Sequence, residues 1–469
     1  MGFRTYHPTD SRRPSTTLCV VGLSIALLVG TLASGTPSEA RKKRKPKSWT
    51  RTHRIVPGVK HIEMKRVKGP YRIHVVSIKL NKRSTLDTVL AGNQLPGLER
   101  TSSMAHRSNA LVAINGDYAR PSGRPVFTFA ADGTLGQTPL LWGRNFSVNR
   151  NETKTFIGHP NTEGWMSNPS NGLEFPIARV NAGAPSVNEL ALFTPQGGYE
   201  ERPPEDACSA RLIRESPIAV LPSDGVEARY RVDAVLCGPK RLALKNGVVV
   251  STPAEGKRVT EITSLVPGDD VMVGWTLGWG GVLDTVGGNP TMIESGQIIQ
   301  ENVSGAGSFF SRHPRTGVGS TPDGRVLFVT VDGRQPGYSV GMTLERFAKL
   351  FKDLGATYAL NLDGGGSTTL VIKGKVKNRP SGGSERSVSS ALLLLRGKDQ
   401  QEIAGTTGSS TSSSLSTASA WEQIVADPAS TGGLADSLLR AGYPLPPSLL
   451  KAAAAFRAIR HRSNQHTSR

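Results

Sequence analysis

Cysteine is scarce in this chain, which narrows the kinds of scaffold and metal site that it can build. There are three cysteines in 469 residues, and Cys19 lies at the start of an apolar run near the N-terminus. A metal site built from Cys208 and Cys237 alone is not expected, because structural zinc sites take four protein ligands. In an oxidising compartment these two cysteines could instead pair across residues 211–235. The sequence does not give their separation, so both states stay open.

Several motifs of common enzymes and nucleic-acid-binding proteins are missing as well. The chain has no nucleophile elbow, no His-Glu-x-x-His helix and no Gly-x-x-x-x-Gly-Lys loop, so triad hydrolases, zinc proteases and P-loop enzymes are poorly supported. Zinc-finger, RNP and basic-zipper spacings are also absent. The net charge of +20 therefore indicates acidic partners such as a phosphorylated glycan or a sugar-phosphate polymer, and no nucleic-acid partner is expected.

The N-terminus has the form of a secretory signal. Arg12 and Arg13 precede an apolar run over residues 18–33, and small residues follow it. This order predicts a signal peptide over residues 1–40 and a secreted or extracytoplasmic protein. A retained membrane anchor is the alternative, since the run is near the lower length limit of a spanning helix. The basic block at residues 41–47 argues against an anchor, so membrane contact is expected only if the segment is retained.

The two ends of the chain are expected to be flexible extensions of a folded domain. Residues 41–55 are predicted to be a basic linker. From residue 398 to residue 469 the composition turns to Ser, Thr and Gly and then to short helical runs with a basic end. This composition predicts a Ser/Thr/Gly linker and a solvated tail. The folded domain is therefore expected over residues 56–397.

The central part of the chain is predicted to be an α+β domain with a mixed β-sheet and packing helices. Glycine (52) and proline (31) are plentiful and aromatic residues make up 6%, which disfavours a helical bundle. Short β-branched runs between turn signals predict many strands, with a peripheral β-rich unit over residues 203–277. One helix is expected within residues 98–109. The clearest helix has Thr343 as its N-cap and ends at Gly355.

Three strands of buried type end in polar side chains. Asn115 and Asp332 each follow an apolar run, and Asn361 lies at the end of a third. The last two runs flank the clearest helix, so they form a strand–helix–strand unit. If its strands share a sheet, a right-handed crossover brings Asp332 and Asp363 to the same edge. Such strand ends are where sheet proteins place their chemistry.

The third of these strands stops at three consecutive glycines, Gly364, Gly365 and Gly366. Glycine has no Cβ atom, permits positive φ and leaves backbone N–H groups accessible. A tight turn between two strands is the simpler interpretation. Three glycines beside the Asp363 carboxylate favour a loop that approaches an oxygen-rich ligand. Carboxylates, amides and hydroxyls suit a sugar, and arginine suits phosphate because guanidinium donates two parallel hydrogen bonds to it.

Five short blocks of sequence, in this order, resemble the signature of the phosphodiester glycosidase family. They are Ile114-Asn-Gly-Asp, Pro314-Arg-Thr-Gly-Val-Gly, Val331-Asp-Gly-Arg, Asn361-Leu-Asp-Gly-Gly-Gly-Ser-Thr-Thr and Glu385-Arg-Ser-Val-Ser-Ser-Ala-Leu. The resemblance spans roughly residues 60–397. It departs from the family pattern at His313, where a small polar residue is expected.

The resemblance implies a hydrolase that cleaves the glycosidic bond of a sugar-1-phosphodiester, with no cofactor expected. Asp363 would be the principal carboxylate, as base or nucleophile, and Asp332 a second acid/base or a positioning group. Arg315 and Arg386 would hold the phosphate. The other expected substrate-binding groups are Asn115 and Asn361 at sugar hydroxyls, the backbone N–H groups of Gly364, Gly365 and Gly366, and the side chains of Asp117, Arg334, Ser367, Thr368 and Glu385.

Three functions remain in competition on these observations. The first is an exported hydrolase that acts on sugar-1-phosphodiesters of an envelope polymer or exopolysaccharide. The second is a non-catalytic protein that binds a glycan or an anionic polymer. The third is a metal-dependent phosphodiesterase that cuts a P–O bond, with a divalent cation held by Asp332, Asp363 and backbone oxygens.

Overall fold

The structure is a computed structural model that describes residues 47–81, 84–149, 154–170, 172–198, 202–214 and 224–397. The predicted signal peptide over residues 1–40, the linker up to residue 46 and the tail over residues 398–469 lie outside the described residues. Strand is far more common than helix in these ranges. The prediction of a strand-rich domain with a few packing helices is therefore confirmed.

The described segments contain 28 strands and four α-helices. The strands are β1 (Trp49–Val56), β2 (Val59–Arg66), β3 (Tyr71–Lys79), β4 (Ser84–Leu90), β5 (Glu99–Arg100), β6 (Val112–Asn115), β7 (Phe129–Ala131), β8 (Thr134–Gln137), β9 (Arg144–Asn149), β10 (Thr155–Gly158), β11 (Glu163–Asn168), β12 (Leu173–Ile177), β13 (Arg179–Val180), β14 (Ala191–Phe193), β15 (Ala207–Arg214), β16 (Ala228–Gly238), β17 (Val248–Pro253), β18 (Asp270–Thr276), β19 (Val282–Gly288), β20 (Thr291–Glu294), β21 (Gln297–Ile298), β22 (Arg315–Ser320), β23 (Arg325–Val331), β24 (Tyr358–Asn361), β25 (Leu370–Ile372), β26 (Lys375–Val376), β27 (Ser387–Val388) and β28 (Ser390–Arg396). The helices are α1 (Thr101–Arg107), α2 (Val259–Thr263), α3 (Gln300–Val303) and α4 (Leu344–Asp353). None of the helices in the described ranges is long and apolar enough to cross a membrane.

Two sheets pack around the apolar core that carries the predicted site. The first has eight strands in the order β1-β2-β3-β23-β22-β24-β20-β21, and the second has the order β26-β25-β6-β28-β4. Buried residues from both sheets, such as Phe328 and Leu360 from the first and Ile114 and Leu392 from the second, form one cluster. The opposite face of the first sheet is covered by α4. The site strands are thus fixed from both faces by apolar burial, the main favourable term in folding.

The predicted strand–helix–strand unit is present as β23, α4 and β24. Both strands pair antiparallel with β22, which lies between them, so they run in the same direction within one sheet. Asp332 follows β23 and Asp363 follows β24, which places both acids at the same edge, as predicted. The expected mixed sheet is not found here, since every neighbouring pair in this sheet is antiparallel. Among the described strands, parallel pairing occurs between β13 and β14.

Helix α4 begins and packs as its sequence predicts. The hydroxyl of the N-cap Thr343 accepts a hydrogen bond from the backbone N–H of Arg346, which satisfies one of the helix's free donors. Phe347 and Phe351 lie on the buried face of the helix. They pack against β22 at Gly317 and Gly319, where a Cβ atom would come within 2.9 Å of a phenylalanine ring. The two glycines of the 314–319 block therefore permit close helix–sheet packing.

A third sheet, separate from the site, contains a disulfide. Its order is β12-β11-β18-β16-β15-β17-β14-β13, so residues 207–276 share it with strands from residues 163–193. Cys208 and Cys237 lie directly opposite each other on β15 and β16 and are joined with an S–S distance of 2.02 Å. The pairing left open by the sequence is thus present. The peripheral unit over residues 203–277 stays a prediction.

The predicted basic linker is shorter than residues 41–55, because residues 49–55 form most of the strand β1. This strand pairs along its length with β2, and Trp49 lies opposite Lys65. Its central residues are exposed, as expected of an edge strand rich in charge. The alternation of Thr, His and Arg hides the strand, since no apolar face marks it.

Gly317→Ala is expected to destabilise the fold by about 1–3 kcal/mol, the usual cost of overpacking a filled core. The added methyl group would meet the carbonyl oxygen of Leu360 and the ring of Phe347 at 2.9 Å. Urea unfolding followed by fluorescence would measure the loss. Gly382→Ala is the matched control, because a Cβ atom there would meet no atom closer than 3.9 Å. Equal unfolding midpoints for the two variants would contradict this account of the packing.

Candidate active site

The glycine loop after β24 is held at its base by backbone hydrogen bonds from distant segments. The N–H of Asp363 donates to the carbonyl of Gly116 at 3.2 Å, and the N–H of Gly365 donates to the carbonyl of Pro314 at 2.9 Å. Gly365 has φ +61°, a conformation that favours glycine. At Gly364 a Cβ atom would lie 2.8 Å from the oxygen of Pro314. The glycines are therefore required by the backbone conformation of the loop itself. The N–H of Gly365 is hydrogen-bonded within the protein, so it is not free for a ligand.

Asn115 supports this loop from the end of β6. It is fully buried. Its Nδ2 donates to the carbonyl of Asp363 at 2.7 Å. Its Oδ1 accepts from the hydroxyl of Thr316 at 2.8 Å and from the N–H of Thr369 at 3.1 Å. Because one side chain satisfies groups of both sheets and the loop, Asn115 acts here as a positioning residue. Its predicted contact with sugar hydroxyls is not part of this arrangement.

Two arginines lie over the glycine loop. A Cβ atom on Gly365 would meet the guanidinium of Arg334 at 3.0 Å, and one on Gly366 would meet Nη2 of Arg386 at 2.4 Å. Both arginines are exposed, and neither forms an ion pair within the described part of the chain. The missing Cβ atoms thus let two positive charges approach the loop backbone closely.

Asp363 lies beside these charges and is partly exposed. Burial raises the pKa of its carboxyl above the usual range, while the hydroxyl of Ser367, the N–H of Gly364 and the charge of Arg386 act in the opposite direction. The hydroxyl of Ser367 and that of Thr368 are buried. The arrangement gives a carboxylate that a ligand can reach, with donors and a cation that stabilise its ionised form.

Asp332, the second predicted acid, is buried at the end of β23. Its Oδ1 accepts from Nδ2 of Asn378 at 3.2 Å and from the N–H of Arg379 at 3.0 Å. Burial raises its pKa to about 6, and the N–H of Arg379, the amide of Asn378 and the phenol of Tyr338 limit the rise. A carboxyl that titrates near neutrality suits acid/base work, although structural networks also perturb pKa values.

A third carboxyl of the site, Asp117, is buried on the β6 side. Its Oδ2 accepts from the N–H groups of Val126 and Phe127 at 3.1 and 2.8 Å. Burial raises the pKa of Asp117 to about 8, with a further contribution from Asp363. Next to it, Tyr118 donates to the carbonyl of Asn289 at 2.8 Å. Asp117 therefore holds the segment after β6 in place.

Asn361 shares this buried network. Its Nδ2 donates to the hydroxyl of Tyr118 at 2.6 Å and to the carbonyl of Asn289 at 2.8 Å. Its Oδ1 is buried without a hydrogen-bond partner among the described residues. An amide oxygen of this kind is able to accept a hydrogen bond from a ligand hydroxyl or a water molecule.

Arg315 and Glu385 hold structure in place. Arg315 is buried and donates to the carbonyls of Met342, Phe309 and Ser311 at 3.1, 2.7 and 2.8 Å, and burial lowers its pKa to about 10. These contacts connect the segment before β22 to the loop before α4. A phosphate bound by Arg315, as predicted, would have to compete with these three carbonyls for the guanidinium. Glu385 accepts from the N–H of Ser102 at 3.0 Å, in the first turn of α1.

The structure adds residues that the sequence did not predict as part of the site. Asn378 donates to Asp332 and to the carbonyl of Thr368, and its Oδ1 accepts from the N–H of Leu370, so it joins the two predicted acids' segments. His313 accepts from Arg334 through Nδ1 at 3.3 Å, and its Nε2 lies 2.6 Å from the carbonyl of Ser308. In the sequence, Asn378 is an asparagine in a short polar loop. Such residues are too common to identify a site.

Three other carboxylates in the described ranges lie close enough together to hold a cation. They are Asp87, Asp132 and Asp284, whose oxygens all lie within 4.8 Å of one another. Asp332 and Asp363 are not among them. A divalent cation at Asp332 and Asp363 stays a prediction.

Comparisons with known proteins agree with the sequence blocks. A family model described as phosphodiester glycosidase matches residues 223–395. An uncharacterized SPbeta prophage-derived protein, YomE of Bacillus subtilis, is 40% identical over 83 residues, which are 18% of this chain and 13% of that protein. The chain thus covers a small part of that relative's length.

Two solved structures cover most of this chain, and the first of them shows a similar fold. A hypothetical protein from Synechocystis superposes with a TM-score of 0.57 and 20% identity, over 75% of this chain and 64% of that one. The catalytic domain of zebrafish N-acetylglucosamine-1-phosphodiester alpha-N-acetylglucosaminidase, auto-inhibited by its pro-peptide, has a TM-score of 0.37 and 17% identity, over 75% of this chain and 85% of that one. The family match contains the blocks that begin at Pro314, Val331, Asn361 and Glu385. Residues 223–395 of this chain thus match the phosphodiester glycosidase family.

Proposed function

We propose that this protein is an exported hydrolase that cleaves the glycosidic bond of a sugar-1-phosphodiester in an envelope polymer or exopolysaccharide. The observation that carries the proposal is the pairing of Asp363, a partly exposed carboxylate, with two exposed guanidinium groups over a glycine loop. A phosphodiester supplies the negative charge that the arginines would bind. The adjacent anomeric carbon supplies the centre at which a carboxylate acts.

Export is supported by two independent features. The order of basic, apolar and small residues at the N-terminus is that of a secretory signal. The disulfide between Cys208 and Cys237 is of a kind that persists in oxidising compartments. Polymers of the cell envelope are substrates that an exported protein meets.

The proposed chemistry divides the work between the carboxylate and the arginines. Cleavage of an anomeric C–O bond builds oxocarbenium character, which Asp363 would stabilise or attack. The leaving group is a phosphate ester that is already ionised, so it needs less help from a general acid than a sugar alcohol does. Arg334 and Arg386 would neutralise it as it departs. Asp332 would act as second acid/base or would position the loop through Asn378.

Asp363→Asn is expected to lower release of sugar from a glycosyl-1-phosphate diester on the order of a thousandfold, as removal of a principal catalytic group does. The reaction should be run in ¹⁸O-labelled water with detection by mass spectrometry. Label in the sugar supports C–O cleavage, whereas label in the phosphate would favour a phosphodiesterase. Near-UV circular dichroism checks that the variant is folded. Undiminished turnover by folded Asp363→Asn contradicts the assignment.

Arg386→Gln is expected to lower kcat/KM for the phosphodiester by about a hundredfold, the usual effect of removing one charge that stabilises a transition state. Arg334→Gln should act in the same direction. Arg396→Gln is the control. Arg396 is exposed at the end of β28, so this substitution removes the same charge away from the loop. If all three variants lose activity equally, the loop arginines have no specific role.

Tyr338→Phe is expected to move the limb of the pH–rate profile near pH 6 to higher pH. Burial sets the pKa of Asp332 at about 6, and the phenol of Tyr338 lowers it, so removal of the hydroxyl raises it. The midpoint of the limb shifts to higher pH whether the active form of Asp332 is charged or protonated, because both cases are governed by the same pKa. Tyr358→Phe removes a phenol that contacts Ser295 and should leave the limb in place. An unmoved limb in Tyr338→Phe means that Asp332 does not set it.

A further inference from the structure

A second polar cavity lies on the outer part of the first sheet, away from the glycine loop. It has a volume of about 330 Å³ and is lined by residues of β1, β2 and β3 and by the hairpin between β25 and β26. The strand register explains why its histidines converge. His53 lies opposite His61, and Glu63 lies opposite His74, so all four side chains project from one face of the sheet.

The core of the cavity is a pair of buried histidines. His61 Nε2 and His74 Nδ1 are 3.1 Å apart, and the two rings stack with centroids 5.3 Å apart. The side chains are 7% and 3% exposed. One nitrogen of the contact must carry the hydrogen, so the two neutral rings share a single hydrogen bond. Nε2 of His74 is buried without a partner in the described part of the chain.

Positive charge surrounds this pair. Arg54, Lys373 and Lys377 line the cavity with one carboxylate, Glu63, and none of the three cations forms an ion pair among the residues that the structure describes. Burial lowers the pKa of His61 to about 4 and that of His74 to about 3, and the charge of Lys377 contributes to both shifts. Because the lining is cationic, the cavity disfavours a metal ion and favours an anion.

We propose that this cavity is a second binding site, which takes a tetrahedral oxyanion of the phosphate class. Lys373 and Lys377 supply point charges for its oxygens, as lysine does in other phosphate sites. The neutral histidine pair has one N–H left after the hydrogen bond between the rings. When His61 Nε2 is the donor in that bond, the remaining N–H is on Nε2 of His74, and it would donate to the anion from beneath. The site is distinct from the glycine loop and does not depend on the proposed hydrolysis, although Lys377 directly precedes Asn378, which binds Asp332.

The first test is calorimetric titration of inorganic phosphate into the full chain. It uses the Arg334→Gln/Arg386→Gln background, so that the loop arginines do not contribute. Saturable binding is expected, and adding Lys373→Gln and Lys377→Gln should weaken it at least tenfold, which corresponds to about 1.4 kcal/mol. The matched control removes two charges outside the cavity, Lys68→Gln and Lys375→Gln. Absence of binding, or equal affinity in both charge-deleted proteins, overturns the proposal.

The second test asks whether the histidines take part. Inorganic sulfate serves as the probe because its charge does not change between pH 8 and pH 5. A bound anion favours protonated imidazole, so sulfate affinity should rise as the pH falls. His53 and Glu63 also face the cavity, so His74→Gln must reduce the rise for the buried pair to be its source. Sulfate affinity that is independent of pH, or a rise unchanged by His74→Gln, overturns the role of the histidine pair.

Discussion

One buried amide, that of Asn115, connects the parts of the molecule that form the site. Asn115 ends β6 in the second sheet, and its side chain contacts the hydroxyl of Thr316 in the first sheet, the carbonyl of Asp363 in the glycine loop and the N–H of Thr369 just before β25. An apolar side chain at this position would leave three buried polar groups unsatisfied, each at a cost of about 1–3 kcal/mol. The position of the catalytic candidate Asp363 thus depends on a residue that contacts its backbone and not its carboxylate.

The site combines carboxyls that are largely shielded from solvent with cations that are exposed to it. Burial raises the pKa of Asp117, Asp332 and Asp363 above the usual range. Arg334 and Arg386 remain at the surface. The proposed substrate, a sugar joined to phosphate, likewise has a neutral part and an anionic part. The same division explains why Asp363, which lies at the boundary, is the carboxyl that a substrate can reach.

Much of this arrangement could be predicted from sequence, because local patterns encoded it. The N-cap Thr343 and the apolar face of α4 marked the helix, and the crossover rule placed Asp332 and Asp363 at one edge. The roles of individual polar residues could not be predicted in the same way. Asn115, Glu385 and Arg315 have the chemistry of ligand-binding groups, yet in the fold they satisfy backbone groups of the protein. That outcome depends on contacts between residues up to 283 positions apart, which no local pattern contains. The strand β1 was missed because an edge strand with charged residues on both faces lacks the apolar alternation that marks other strands.

The connection between the two ends of the described domain has a kinetic consequence. Strand β28 lies between β6 and β4 in the second sheet, so the support for Asn115 comes from a segment that is synthesised some 275 residues later than β6. Non-local pairing of this kind slows folding, because loop-closure entropy must be overcome before the contacts form. The strand β6, whose Asn115 contacts the loop that carries Asp363, therefore has its full pairing only after β28 has been added. Without β28, β6 would keep its pairing with β25, whereas β4 would lose its pairing with β28 in the second sheet.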